Sequence, residues 1–497
     1  MIFDLSKRYC YYFNEICKIP HGSYNEKALS DYVVRFAKEH GLEYIQDDMH
    51  NVIVRKPCTK GYEEYDPVML QAHMDMVCEA TPGTEFDFTA QPISTYVDEE
   101  GNLRARSTTL GADDGMGVAE MLAILEDTTL QHPELECVFT VQEEVGLFGA
   151  LGLDKSLLKS HRMISLDGAG ETQTSVSSAG GINAIATIPV QWCAASDACY
   201  ALMVTGFSGG HSGSDIHKEK GNASKVTARI LRGLQRKGIA FHLVSINGGQ
   251  KINAICRQCT AVICTAVKKA VLEETVQALY EDIYKEFAVA DPGFKVVLND
   301  EKTWDKCMDT ASTDKVIQYL YIIPDGFQHR SMEIEGLTLT SLNLGIVQTR
   351  ENAVSATSSI RSALSEAIEE LVCRLDTVAG LTGGKVLTSA GYPAWAYAEN
   401  SSMRQTFNEV VQDLYDGQQL QCRAAHGGLE CAVFTQVEGG MDIITCGPVA
   451  GNFHTPQEYL NLESWDRTYR LLVTILSKVS KKEPSNICVG NNDRKVI

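Results

Sequence analysis

Five segments of this 497-residue chain place a histidine or a carboxylate directly after an apolar run or in a glycine-rich turn. In chain order they read "QAHMDM", "LGADDG", "VQEEVG", "SLDGAG" and "NFHTP". The candidate ligands in them are His73, Asp113, Glu144, Asp167 and His454. Imidazoles mixed with carboxylates are donors that suit zinc, manganese or cobalt. Together the segments therefore predict a metal centre.

The size of this donor set indicates more than one metal ion. Two imidazoles and three carboxylates are too many for one tetrahedral ion, but they suit two ions that share a bridging carboxylate. Two such ions can activate a water molecule and polarise a carbonyl group together, while a carboxylate that is not a ligand acts as general base. His73 and Asp75 share one face of an extended strand, so Asp75 is predicted to accept the second ring N–H of His73.

Each segment also has a structural interpretation when it is considered alone. Asp113 and Asp114 could simply cap the helix that follows them. The adjacent Glu143 and Glu144 could lie in a solvated loop, and His454 could be a structural residue after a glycine-rich turn. The metal interpretation depends on all five segments occurring together.

The elements that would position these residues alternate between strands and helices. The strand-like runs are 50–56, 135–141 and 162–166. Apolar residues at i, i+3, i+4 and i+7 predict an amphipathic helix at Val118, Met121, Leu122 and Leu125. This alternation predicts an α/β fold, with a mixed sheet flanked by helices and ligands at the carboxyl ends of its strands.

Residues 181–395 have a different pattern and are predicted to form an inserted α+β domain. Between 200 and 298 the order is strand, helix, strand, strand, helix, strand, which is the split βαβ arrangement. A partial second copy over 337–375 predicts that this arrangement is doubled. Residues 1–180 and 396–497 would then form one discontinuous domain, with a loose polar tail after about 482.

Composition limits the classes of protein to which the chain can belong. The formal net charge of −20 disfavours binding to nucleic acid. Neither a secretory signal nor a long apolar span is evident, which predicts a cytoplasmic protein without a membrane partner. The 16 cysteines form no framework and are predicted to be reduced thiols.

The ordered motifs resemble the co-catalytic zinc exopeptidases and amidohydrolases, a family that includes carboxypeptidase G, aminoacylase and carnosinase. Within that family the chain is similar to the aminoacyl-histidine dipeptidases. Further stretches that support the resemblance are "GGHSGSDIHKEKGNA", "NGGQKINAI", "SSIRS" and "HGGLEC". The resemblance covers nearly the whole chain and implies a di-metal catalytic domain with an inserted lid domain.

The resemblance also implies a role for each matching residue. Asp113 would bridge two divalent ions, with zinc as the first candidate and manganese or cobalt as alternatives. His73 and Asp167 would complete one site, and Glu144 and His454 the other. Glu143 would be the general base, His211 would stabilise the oxyanion, and Asp75 would support His73. Substrate would contact residues of the inserted domain and of the "HGGLE" loop: Asn253, Arg361, Gly427, Gly428 and Glu430.

Three departures from the family pattern affect substrate preference rather than the ligands. Asp114 stands where asparagine is common, only Glu171 represents the usual acidic run after Asp167, and glycine replaces alanine at 427. We therefore expect a metal-dependent dipeptidase that acts on small dipeptides, of Xaa-His type or broader, as a monomer or a homodimer. The alternatives are a deacylase of N-acyl amino acids on the same scaffold and a non-catalytic protein with a relict site.

Overall fold

The structure is a computed structural model that describes residues 3–195 and 197–481. The chain divides into two compact units. The first comprises the described residues of Met1–Ser177, Trp395–Ala424 and Leu429–Ile497, and the second those of Ser178–Ala394 and Ala425–Gly428. Residues 425–428 thus belong to the second unit, although the predicted boundaries placed them in the first. The predicted loose tail after about 482 lies outside the described residues.

The elements follow the chain in three blocks. The first contains α1 (Arg8–Ile16), α2 (Lys27–Glu39), β1 (Glu43–Gln46), β2 (Val52–Lys56), β3 (Val68–His73), β4 (Thr95–Val97), β5 (Asn102–Ala105), α3 (Ala112–Glu126), β6 (Leu135–Thr140), α4 (Phe148–Gly152), β7 (Arg162–Ser165) and β8 (Gln173–Ser178). The second contains β9 (Gly180–Pro189), β10 (Trp192–Ala194), β11 (Ala198–Thr205), α5 (Ala223–Arg236), β12 (His242–Gly248), β13 (Cys259–Thr265), α6 (Lys269–Phe287), β14 (Lys295–Asp300), β15 (Lys306–Met308), α7 (Thr310–Ile322), β16 (Gly326–Arg330), β17 (Thr338–Thr349), β18 (Ala353–Ser362), α8 (Ser365–Leu381) and β19 (Lys385–Tyr392). The third contains α9 (Ser402–Leu414), β20 (Gln421–Ala425), α10 (Glu430–Phe434), β21 (Asp442–Thr445), β22 (Ala450–Gly451), β23 (Tyr459–Asn461) and α11 (Leu462–Lys478).

The main sheet of the first unit is mixed, with strand order β1-β2-β6-β3-β7-β21. β6, β3, β7 and β21 are parallel to one another, whereas β2 is antiparallel to both β1 and β6. The carboxyl ends of β3, β6 and β7 therefore lie side by side at one edge of the sheet, which is where sites form in open α/β sheets. The predicted α/β class is confirmed.

Helix α3 differs from its prediction as an amphipathic helix because it is buried nearly all round. It packs against α1 and β3. Even its acidic Glu120 is only 1% exposed and accepts a hydrogen bond of 2.9 Å from the indole N–H of Trp465 in α11. A helix enclosed by its neighbours cannot keep a solvated face, so its apolar spacing alone was misleading.

The first unit has its own core, to which segments before and after the second unit contribute. The largest fully buried side chains in this core include Phe13, Phe139, Phe407 and Trp465. Full burial of an aromatic or aliphatic side chain of this size contributes about 1.5–3 kcal/mol. The C-terminal segment is therefore an integral part of this unit, because it supplies β21, α9 and α11.

The second unit is built on a nine-stranded antiparallel sheet. Its order is β14-β11-β13-β12-β17-β18-β9-β19, with β16 paired to β17. The elements β11-α5-β12-β13-α6-β14 follow the order strand, helix, strand, strand, helix, strand. A separate core fills this unit, with Phe294 and Tyr319 among its largest buried side chains. Among the described residues of the two units, no helix combines the length and apolarity needed to cross a bilayer.

One cysteine pair in the second unit contradicts the prediction of reduced thiols. Cys199 and Cys264 stand directly opposite each other on antiparallel strands β11 and β13 and form a disulfide. Their Cα atoms are 4.2 Å apart. The 64 residues between them in the sequence hide this pairing, which only the strand register reveals.

Candidate metal centre

Three neighbouring parallel strands bring candidate ligands to one edge of the main sheet. His73 is the last residue of β3 and pairs with Thr140 at the end of β6. Glu144 follows β6 after a short turn, and Asp167 follows β7 by two residues. Every residue of these three strands is buried, so hydrophobic packing fixes the points at which the polar side chains emerge.

Asp113 reaches the same place from the start of α3. The turn before the helix needs Gly111, whose φ of +72° lies in the left-handed region. A side chain at Gly117 would meet the Cβ of Leu166 at 2.7 Å, so this glycine permits close packing of α3 against the segment that carries Asp167. The capping interpretation applies to Asp114, whose Oδ1 accepts the N–H of Gly117 at 3.2 Å.

His454 completes the cluster from the loop between β22 and β23. Its φ is +63°, and its side chain is half exposed. Nε2 of His454 lies 2.8 Å from Oε1 of Glu144 and 3.3 Å from Oδ2 of Asp113. The last hundred residues of the chain thus contribute one of the five converging side chains.

The five candidate ligands form two overlapping groups that share Asp113. Within each group, one donor atom of every residue lies within 4.8 Å of the others. The groups are His73, Asp113, Asp167 and Asp113, Glu144, His454. Oδ1 of Asp113 faces His73 at 3.0 Å, while Oδ2 faces His454. One carboxylate that offers an oxygen to each group is the arrangement needed to bridge two cations.

The protonation of His73 shows that a cation suits the site. Its Nδ1 lies 2.9 Å from the carbonyl oxygen of Asp75, which can only accept a hydrogen bond. Nδ1 therefore carries the proton of a neutral ring, and the lone pair on Nε2 is directed at a carboxylate oxygen of Asp113. A lone pair and a carboxylate oxygen 3.0 Å apart repel each other unless a proton or a metal ion lies between them.

The charges of the cluster lead to the same conclusion. Burial raises the pKa of Asp167 to about 7, with a further contribution from Asp113. Hydrogen bonds to Asp113 and Glu144 raise the pKa of His454 to about 10. Burial would lower the pKa of His73, but the carboxylates of Asp113 and Asp75 raise it well above its usual value. The cluster holds too much negative charge to be stable without added protons or cations, so these residues fit a pair of metal ions.

Asp75 supports the cluster in a way that only partly matches its predicted role. Its backbone carbonyl accepts the proton of His73, while its carboxylate Oδ1 lies 3.6 Å from the same nitrogen. The carboxylate accepts hydrogen bonds from the backbone N–H groups of Glu143 at 2.9 Å and Glu144 at 3.2 Å, and from the hydroxyl of Ser23 at 2.8 Å. Asp75 therefore connects His73 to the loop that carries both glutamates.

Glu143 lies beside the cluster, and no hydrogen bond from another described residue holds its carboxylate. It can join His73 and Glu144 in a third close group. Burial raises the pKa of Glu143 well above its usual value, and the nearby carboxylates of Asp167, Glu430 and Glu144 raise it further. A carboxyl group with a raised pKa is suited to accept and return a proton near neutral pH.

Sequence reasoning missed Glu458, which is 3% exposed and anchors the start of α3. Its carboxylate accepts four backbone N–H groups, at distances of 2.7 to 3.3 Å, from Leu110, Gly111, Ala112 and Asp113. Glu458 follows His454 by four residues and lies two residues beyond the "NFHTP" segment, and this proximity was the available signal. It holds the backbone that carries Asp113.

Glu430 does not occupy the position that its predicted contact with substrate requires. It is 2% exposed, and its Oε2 accepts hydrogen bonds of 2.6 Å from the amide of Gln71 and from the hydroxyl of Thr140. Burial raises its pKa to about 8. Glu430 thus supports the ends of β3 and β6 from inside the first unit.

His211 belongs to the second unit and presents a defined hydrogen-bond donor. Its Nδ1 accepts the backbone N–H groups of Gly213 at 3.1 Å and Ser214 at 3.3 Å. Burial lowers its pKa, and nearby Arg361 lowers it further, so the ring is neutral at pH 7. The remaining proton must be on Nε2, which makes His211 a neutral donor.

Two of the other predicted contacts of the second unit, Arg361 and Gly428, lie beside Tyr392. Nη1 of Arg361 donates to the hydroxyl of Tyr392 at 2.7 Å. A side chain at Gly428 would meet the ring of Tyr392 at 2.7 Å, whereas one at Gly427 would meet nothing within 4 Å. Asn253 is exposed, and its carbonyl accepts the N–H of Ser212. Sequence reasoning did not identify Tyr392, which follows from no motif.

Comparison with known proteins places this geometry in context. The family described as "Peptidase family M20/M25/M40" matches residues 69–478. A cytosol non-specific dipeptidase of Escherichia coli is 35% identical over 473 residues, which is 95% of this chain and 97% of the relative.

Solved structures agree with this match. The crystal structure of an aminoacylhistidine dipeptidase from Vibrio alginolyticus has a TM-score of 0.88 and 32% identity, and covers 96% of this chain and 97% of its own. An aminopeptidase PepT from Bacillus cereus shares the fold at a TM-score of 0.56 and 18% identity, over 96% of this chain and 100% of its own.

Proposed function

The chain belongs to the M20/M25/M40 peptidase family, and from that premise we propose that it is a dipeptidase that uses two divalent metal ions. The family assignment confirms the one that the ordered motifs indicated. The activity is supported by its similarity to the Escherichia coli and Vibrio alginolyticus dipeptidases, each of which it matches over nearly its full length. The observation that carries the proposal is the pair of donor groups that share Asp113 beside Glu143.

Five residues would hold the ions, with His73 and Asp167 on one side of Asp113 and Glu144 and His454 on the other. When bound, two divalent cations supply Lewis acidity that activates water and polarises the scissile carbonyl. Zinc is the first candidate for these imidazole and carboxylate donors, with manganese or cobalt as alternatives. Asp75 and Glu458 would position this set through the backbone of the glutamate loop and of α3.

Glu143 would perform the proton transfers of the reaction. Its carboxylate accepts a proton from the attacking water and then donates a proton to the amine of the departing amino acid. Protonation makes the amine a better leaving group. Since the proton accepted from water can be the one given to the amine, one carboxyl group can serve both steps. The raised pKa of Glu143 supports this role, and Asp75 restrains the backbone that carries it.

The second unit would supply substrate contacts and act as a lid. The Nε2–H of His211 is suited to stabilise an oxyanion, since the ring is neutral and its other nitrogen is already bonded. Arg361, held by Tyr392, is suited to bind a substrate carboxylate, and Asn253, Gly427 and Gly428 would line the same region. We also propose that the enzyme works in the cytoplasm, as the name of its Escherichia coli relative states of that protein.

A substrate panel with controlled metal content tests this function. Chelator-treated protein would receive zinc, manganese or cobalt and then be assayed with β-Ala-His, several Xaa-His dipeptides and dipeptides without histidine. Metal-dependent release of free amino acids is expected. The relative rates for dipeptides with and without a C-terminal histidine determine whether this residue is required.

The panel includes N-acyl amino acids as a matched set with the same C-terminal residues. Cleavage of these compounds without cleavage of any dipeptide would replace the proposal with a deacylase. Tight binding of two ions with no cleavage of either set would indicate a relict site.

A further inference from the structure

A second cluster of metal-binding side chains lies in the second unit. Cys193 on β10, His242 on β12 and Cys307 on β15 each offer a ligand atom, and these atoms all lie within 4.8 Å of one another. The three residues have 48 and 64 other residues between them in the sequence, so no sequence motif contains them. All three belong to one compact unit, which makes the cluster a feature of that unit alone.

Strand pairing places the two thiols side by side. β10 and β15 are antiparallel, and Cys193 stands directly opposite Cys307. Directly opposed residues project to the same face of a sheet. Their sulfur atoms are 3.6 Å apart and unbonded. Two thiolates on one tetrahedral zinc ion, at about 2.3 Å each, are about 3.8 Å apart, so the observed spacing is close to that of a bound pair.

His242 makes the hydrogen bond that a ligating histidine commonly makes. Its Nδ1 lies 3.0 Å from the carbonyl oxygen of Met308, which can only accept a hydrogen bond. Nδ1 therefore carries the ring proton, and the lone pair of the neutral imidazole is on Nε2. A ligating histidine in metal sites commonly donates its second N–H to a carbonyl or carboxylate in this way.

We propose that Cys193, His242 and Cys307 bind one zinc ion, at a site separate from the carboxylate-rich centre of the first unit. Two thiolates and an imidazole favour zinc over magnesium, calcium or manganese, which prefer oxygen donors. Zinc displaces one proton from each thiol, and both protons pass to solvent. The fourth coordination position is left for a solvent molecule.

The site would connect two sheets whose strands do not pair with each other in the part of the chain that the structure describes. β10 and β15 form a two-stranded sheet of their own, while β12 lies inside the nine-stranded sheet. Cys307 is buried on β15, and its sulfur faces that of Cys193 on β10. The bound ion would therefore fix β10 and β15 against β12.

Cobalt titration of the full-length protein tests the proposal. The protein is reduced with a phosphine, stripped with a chelator and titrated with Co²⁺ without oxygen. Thiolate ligands produce an intense near-ultraviolet charge-transfer band, which imidazole and carboxylate ligands do not. We expect this band in the wild type, together with one more bound ion per chain than in Cys193→Ser. His242→Ala should bind this ion about tenfold more weakly or worse.

Cys373→Ser is the matched control, because Cys373 is an exposed free cysteine on α8 in the same unit. It should bind cobalt as the wild type does. Absence of the band from the wild type, or an equal band in Cys193→Ser, would overturn the proposal. So would a Cys193–Cys307 disulfide, identified by mass spectrometry of the linked peptides because Cys199–Cys264 already accounts for the loss of two hydrogens, that persists in protein purified without reductant and excludes metal. The readout is sulfur-bound metal rather than peptide cleavage, so it is independent of the proposed function.

Discussion

At the scale of single residues, the site separates groups that hold cations from groups that move protons. Asp113 faces two histidines with its two oxygens, whereas Glu143 stands beside the cluster with a raised pKa. His73 and Asp75 are joined through a backbone carbonyl, which fixes the tautomer of the imidazole. Substitution of the carboxylate of Glu143 and substitution of that of Asp113 should therefore have different effects.

Glu143→Gln should lower kcat by about 10² to 10⁴-fold without removing metal, because the amide cannot accept a proton from water. Steady-state kinetics and metal analysis of the same sample check this result. Glu99→Gln changes an exposed glutamate in the same way and should leave both kcat and the metal content unchanged. Full activity of Glu143→Gln would remove Glu143 from the proton-transfer step.

Asp113→Ala should lose both ions together, because Asp113 belongs to both donor groups. His454→Ala alters only one group and should retain one ion under the same dialysis. Elemental analysis after dialysis against a defined metal buffer measures both. If Asp113→Ala kept one tightly bound ion, the bridging role would be wrong.

At the scale of elements, the meeting of the candidate ligands at one edge of the main sheet could be predicted from the sequence. The buried residues that hold these ligands in place could not. The runs at 135–141 and 162–166 correspond to β6 and β7, and the polar residues after them meet because parallel strands end together. That inference needs only local patterns and a rule for sheets. Glu458 and the inward-facing Glu430 depend on contacts between distant segments, which no local pattern specifies.

Glu458→Gln should destabilise the first unit by about 1–3 kcal/mol, because one amide oxygen cannot satisfy four buried N–H groups. Since these groups hold the backbone of Asp113, metal affinity should also fall by about 10 to 100-fold. Thermal unfolding and competition with a metal indicator would measure the two effects. Unchanged metal affinity would mean that Asp113 is positioned without Glu458.

Glu120→Gln should be more stable than the wild type at alkaline pH. Burial raises the pKa of Glu120 to about 8, whereas an unfolded glutamate has a pKa of about 4.3. The folded state therefore retains a proton that the unfolded state releases, and stability falls as pH rises through this window, by about 1.4 kcal/mol per unit of pKa difference.

Denaturant unfolding of both proteins at pH 5 and pH 9 measures this effect. The glutamine oxygen can still accept the indole N–H of Trp465, so the variant should keep this hydrogen bond. It should lose the part of the pH dependence of stability that Glu120 causes. A difference in stability that is equal at both pH values would assign the effect to packing instead.

At the scale of the whole molecule, two separate cores support two kinds of chemistry. The first unit gathers carboxylates and imidazoles, and the second gathers thiols, a neutral histidine donor and a guanidinium. The division into units follows from the change in sequence pattern near residue 180, but the exchange of residues 425–428 between units does not. Four residues are too few to carry a pattern of their own.

In Cys193→Ser, which lacks the proposed zinc site of the second unit, metal removal should lower the stability of the first unit only. Ligands that bind the folded state stabilise it by about 2.7 kcal/mol at a hundred times Kd, and the proposed dipeptidase ligands all lie in the first unit. Calorimetry of Cys193→Ser should show two transitions, of which a chelator shifts one downward. A single transition that moves as a whole would show that the units unfold as one.

The discontinuity of the first unit has a consequence for the protein while the ribosome is still making it. The chain leaves this unit after Ser177 and returns at Trp395, and His454 emerges 277 residues after the departure. At 5–20 residues per second, this interval lasts roughly 15–55 s. The second unit is complete apart from residues 425–428 well before then. A nascent chain therefore carries a main sheet that still lacks its edge strand β21, and an incomplete set of metal donors, until these late residues have been synthesised.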